Sequence, residues 1–61
     1  MQSISRLKRI MGYEIITWLE SGDEQHWCNA KVCEDMLKYR GVPDSEIQKV
    51  ITDAEEKADY S

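Results

Sequence analysis

The sequence predicts an all-α protein, a compact three-helix domain. Three observations carry this reading. Apolar residues recur at three- and four-residue spacing in three successive segments. Helix-stop and helix-start residues sit between those segments, at Ser21-Gly22-Asp23-Glu24 and at Gly41-Val42-Pro43-Asp44. The chain of 61 residues, 41% hydrophobic and 33% charged, has a globular composition and fits a single domain spanning 1–61.

The first segment places Ile4, Leu7, Met11, Ile15 and Trp18 on one helical face. Gly12 inside it costs a helix about 1 kcal/mol relative to Ala. That cost opens an α+β alternative: an N-terminal helix, a β-hairpin over about residues 13–28, then two helices. Tyr13 to Leu19 is rich in strand formers. In that register Trp18 faces Trp27 across the pair, and Ile15, Thr17 and Leu19 share the other face with His26, Cys28 and Ala30.

The second segment begins at a candidate capping box, Ser21 with Glu24 three residues on. Trp27, Ala30, Cys33 and Leu37 form one stripe, and Val32, Met36 and Tyr39 an adjacent one. An apolar arc that wide predicts a helix packed between neighbours. Lys38 and Arg40 suit the negative C-terminal end, and Gly41 suits a left-handed stop. The third segment opens at Pro43, with Asp44 and Ser45 as cap or early-turn residues and Glu46 at the positive end of the dipole. Ile47, Val50, Ile51, Ala54 and Ala58 then line one face, Asp53, Glu55, Glu56 and Lys57 the other, and Asp59-Tyr60-Ser61 reads as a frayed tail.

At 7.1 kDa, folding buries about 6,000 Å² relative to an extended chain. With about 60% of that apolar, burial contributes roughly 90 kcal/mol, and ordering the chain costs roughly as much. A chain so balanced gains from a partner or from pairing into a homodimer. The net charge of −4 is uneven: residues 1–11 carry Arg6, Lys8 and Arg9 and no acid, leaving −7 on the rest. An acidic surface disfavours general nucleic-acid binding, which draws its affinity from phosphate contacts, and suits a protein partner.

Two cysteines, Cys28 and Cys33, are too few for a disulfide framework. No signal-peptide or membrane-length apolar run is present, so the expectation is a cytoplasmic protein away from the membrane, with both cysteines reduced and buried as small hydrophobes. His26, Cys28 and Cys33 fall short of the four ligands a structural zinc site needs, and on a helix the two cysteines diverge. No metal and no cofactor is expected. With one histidine, no phosphate-cradling Gly-rich loop and little room for a pocket, no catalytic residue is assigned.

Leu37-x-x-x-Gly41-Val42-x-x-x-x-Ile47-x-x-Val50 resembles the helix-turn-helix family of DNA-binding proteins. The resemblance implies a DNA-binding regulator using residues 30–53, with Arg6, Lys8 and Arg9 touching phosphate. Leu37 is bulkier than the family's usual Ala, and Asp44, Glu46 and Asp53 stand on the presumed reading helix. Ile4-x-x-Leu7 with Met11-Gly12-Tyr13 is similar to the opening of ubiquitin-associated domains, without that family's Ala- and Leu-rich later helices. The main functional expectation is a small acidic, non-enzymatic protein–protein interaction module, of a size and charge that suit a regulator or inhibitor of a host protein in phages and mobile elements. Trp18, Trp27, Tyr39, Glu46 and Asp53 are its candidate partner-binding residues, aromatics for contact area and acids for a basic partner.

Overall fold

The first helix is set by its ends. Ser3 caps it, its hydroxyl accepting a hydrogen bond from the Arg6 N–H at 3.1 Å. Gly22, at φ 77°, turns the chain out of the helix and donates its N–H to the Trp18 carbonyl. Between them runs α1 (Ile4–Ser21), in a computed structural model that describes residues 3–59. Two further helices follow, α2 (Glu24–Tyr39) and α3 (Asp44–Lys57), and the described residues contain no strand. The three-helix expectation is met.

The hairpin alternative is overturned. Residues 13–21 continue α1, and residues 24–28 open α2. A lone two-stranded hairpin is marginal and buries one face at most. A helix through the same residues adds Ile15 to the buried line already formed by Leu7 and Met11. That gain outweighs the strand preferences of Tyr13, Ile16 and Thr17 and the helix cost of Gly12.

The start of α2 also differs from expectation. Asp23 is the cap, its carboxylate accepting from the Gln25 N–H at 3.0 Å. Ser21 still belongs to α1: its hydroxyl donates to the Thr17 carbonyl at 2.7 Å and accepts from the Asp23 N–H at 3.2 Å. Gly22 ends one helix a residue before the next is capped, which leaves Ser21 no room to cap α2. At the other end Gly41, at φ 83°, makes the predicted left-handed stop. Its N–H reaches the Lys38 carbonyl and the Val42 N–H reaches the Leu37 carbonyl, the paired bonds of a Schellman turn. Pro43 takes the cap position of α3 without a side-chain bond. Asp44 and Ser45 therefore lie inside the first turn, where Asp44 and Glu46 face the positive dipole end.

One core holds the helices. Leu7, Met11 and Ile15 from α1 meet Ala30, Cys33 and Leu37 from α2, and Val42, Ile47 and Ala54 complete it. Both α2 and α3 pack on α1 and touch each other sparingly. The expectation that α2 lies between neighbours on a wide apolar arc fails for that reason. Val32, Met36 and Tyr39 face solvent, Tyr39 being 93% exposed. Past α3, the Asp59 N–H donates to the Glu20 carboxylate at 2.9 Å, which ties the end of α3 to the end of α1. Tyr60 and Ser61, expected to fray, lie outside the described residues. No helix among the described residues is long and apolar enough to cross a membrane.

Gly12 is an interior helix residue where a Cβ would meet Val50 Cγ1 at 3.8 Å, an ordinary contact. Gly12→Ala should stabilise the fold by about 1 kcal/mol and raise Tm by about 4–8 °C for a chain of this size, read by thermal circular dichroism. An equal or lower Tm would mean that the approach of α3 to α1 requires a bare backbone there.

Candidate partner-binding groove

The two-residue link Gly22-Asp23 folds α2 back against α1 and so brings the two tryptophans together. Trp18, near the end of α1, and Trp27, in the first turn of α2, have ring centroids 4.8 Å apart at a 38° tilt, within the range of favourable aromatic pairs. The sequence reading that faced these residues across a hairpin paired the right side chains through the wrong backbone. Trp18 is half-buried, while Trp27 is 41% exposed.

Beside the pair lies an open groove of about 230 Å³. Met11 and Ile15 of α1 form its floor, Trp27 and Ala30 one wall, and Ile51 of α3 the other. The groove exists because α2 and α3 diverge over α1. Glu34, Lys31 and Glu55 stand at its rim. Lys31 Nζ lies 5.4 Å from the centroid of Trp27, a cation–π geometry. It also bonds Glu34 at 3.1 Å, and Lys38 bonds the other oxygen of Glu34 at 3.1 Å. Burial pushes the Glu34 carboxyl up, but the hydrogen bonds from Lys31 and Lys38 outweigh it and hold the group below its ordinary value.

Charge divides along the bundle. The end that holds the groove gathers Glu20, Asp23, Glu24, Glu55, Glu56 and Asp59 from all three helices. The far end holds Arg6, Lys8 and Arg9 of α1 with Lys38 and Arg40, against Asp44 and Glu46 in the first turn of α3. There Lys8 Nζ bonds Glu46 at 2.9 Å.

The five candidate partner residues therefore separate. Trp18 and Trp27 meet at the groove. Tyr39 stands alone on the outer face of α2. Glu46 is engaged by Lys8 at the far end. Asp53 lines a second groove of about 350 Å³, between α1 and α3, with Lys8, Arg9 and Lys57 on its rim. Glu34 and Ile51 were missed as site residues, Ile51 standing only among the residues of the α3 apolar face, where it does pack against the core. The available signal for Glu34 was its spacing, three residues from Lys31 and four from Lys38. Nothing local marks Ile51, since its exposure follows from the divergence of two helices.

Cys28 and Cys33 are not the matched core pair that was expected: Cys28 is exposed and Cys33 buried. Burial, then the charge of Glu14, pushes the Cys33 thiol up, which is opposite to what activates a nucleophile. His26 Nδ1 lies 2.6 Å from Glu14 Oε2 across the α1–α2 seam. The described residues hold no group of three His, Cys, Asp or Glu side chains arranged to bind a metal ion. The chain matches no protein-family model, no curated protein and no solved structure.

Two outcomes follow from these environments. A carboxyl held low in the fold contributes stability above the unfolded value of about 4.3, and that contribution is lost as pH falls through the folded value. Glu34→Gln should therefore flatten the acid limb of Tm against pH; an unaltered limb would show that the Lys31 and Lys38 contacts carry no weight. In native protein a maleimide should modify Cys28 within minutes and Cys33 only after denaturant is added, as read by intact mass; equal native rates would place Cys33 at the surface.

Proposed function

We propose that this protein is a non-enzymatic protein–protein interaction module that binds a segment of its partner in the groove between α2 and α3. The observation that carries the reading is the Trp18–Trp27 pair, open on one side over an apolar floor. Half-exposed tryptophan beside an apolar groove is the chemistry of binding hot spots. A chain of 61 residues that binds without catalysing acts by occupying its target, which suits a regulator or inhibitor. The unpaired thiols fit a reducing compartment such as the cytoplasm.

A DNA-binding reading has one observation in its favour. Leu37, Val42 and Ile47 are buried around a left-handed Gly41, as a helix-turn-helix corner requires. The charge of α3 stands against it: Asp44, Glu46, Asp53, Glu55 and Glu56 are exposed beside Lys49 and Lys57 only, and carboxylates repel phosphate.

A pull-down from lysate of the native host, with and without nuclease, separates the readings. Wild type and Val32→Glu, altered on the outer face of α2, should retain a stoichiometric protein through nuclease. Trp27→Ala and Ile51→Glu should lose it, Trp27→Ala by at least about tenfold in affinity. Retention by the groove variants with loss from Val32→Glu would move the site to the outer face of α2. Recovery that nuclease abolishes would favour DNA.

A further inference from the structure

The groove described above also constrains the chemistry of what fills it. Its volume of about 230 Å³ exceeds the ~150 Å³ of a cavity that holds benzene. It therefore has room for a few anchor side chains, while the backbone that carries them stays outside. An extended peptide would bring unpaired N–H and C=O groups to this surface, and the described residues offer no strand edge to receive them. A helix satisfies its own backbone and presents apolar anchors three and four residues apart. The site has the matching form: α2 and α3 both rest on α1 and leave the space between them open over Met11 and Ile15.

The electrostatics fix the sign of the visitor. Glu55 stands on the rim, and Glu20, Glu24, Glu56 and Asp59 belong to the same end of the bundle, where they outnumber Lys57 of the last turn of α3. None of these five carboxylates takes part in an ion pair among the described residues. The rim cation, Lys31, is engaged by Glu34. Its ammonium also lies over the Trp27 ring, 5.4 Å from the centroid.

We infer that the occupant is a cationic amphipathic helix of a partner protein, lying on α1 between α2 and α3 as a fourth helix, its apolar anchors beside Trp27 and Ile51 and its Lys or Arg side chains over Glu55 and toward the acidic end of the bundle. This rests on the groove being the binding site.

The test is a random 16-residue peptide library selected in parallel on immobilised wild-type protein and on Ile51→Glu and Trp27→Ala. Peptides enriched on wild type alone should carry Lys or Arg with Leu, Ile, Phe or Met at helical spacing. A synthetic representative should gain helicity on binding and bind more weakly as NaCl rises. The exposed double substitution Glu55→Lys with Glu56→Lys should weaken it roughly tenfold. Groove-dependent peptides that are acidic, neutral or strand-patterned would overturn the cationic helix and leave the groove as a site. Basic peptides enriched equally on all three proteins would overturn it too, by showing attraction without the groove. Enrichment of nothing that depends on Trp27 or Ile51 would remove the site itself.

Discussion

Everything in this molecule is built on one side of one helix. Leu7, Met11 and Ile15 lie on a single line along α1, each almost wholly buried, and that line is shared by both of the other helices. A domain of this size cannot enclose three helices around a deep interior, because its surface is large for its volume. The solution here is to bury α1 well and leave α2 and α3 each half-covered. The same limit produces the exposed flank of α2 and the open groove, so the core and the candidate site have one cause.

The polar contacts divide between joining helices and shaping surface. Glu14–His26 ties α1 to α2, Lys8–Glu46 ties α1 to α3, and the Glu20 carboxylate holds the chain where α3 ends. None of these joins α2 to α3. Lys31–Glu34–Lys38 lies within α2 and fixes a rim. An exposed pair such as Lys8–Glu46 contributes ~0–1 kcal/mol, so it orients helices that the apolar line on α1 has already gathered.

Helix number, the stop at Gly41 and most of the buried stripe were legible in the sequence, because caps and periodicity are local signals. The ambiguity over residues 13–28 was real at that level: β-branched and aromatic residues favour strand locally, and the decision belongs to long-range burial on α1. The cap of α2 was misplaced by two residues because Ser21 and Asp23 are both good caps, and only the position of Gly22 chooses between them. Val32, Met36 and Tyr39 read as core because apolar spacing on a helix says which residues share a face, never whether a neighbour exists to cover it. For the site, the Trp18–Trp27 pairing was read only through the hairpin alternative, and it survives because the two-residue link between α1 and α2 brings the same side chains together. The groove was not legible, because Ile51 faces Trp27 through the absence of a contact, and an absence leaves no pattern in a sequence.

The sparse contact between α2 and α3 has a kinetic side. α1 and α2 are joined by a two-residue turn and share the larger interface, so their pairing is local in sequence and closes little loop entropy. α3 depends on its seat against α1 and on one corner, which makes it the element whose opening costs least. It is also one wall of the groove. A molecule bridging α2 and α3 would supply the contact they lack, slow the departure of α3, and raise the apparent stability of the fold with its own concentration. Folding and occupancy would then be a single linked equilibrium, with the last helix as the part that reports both.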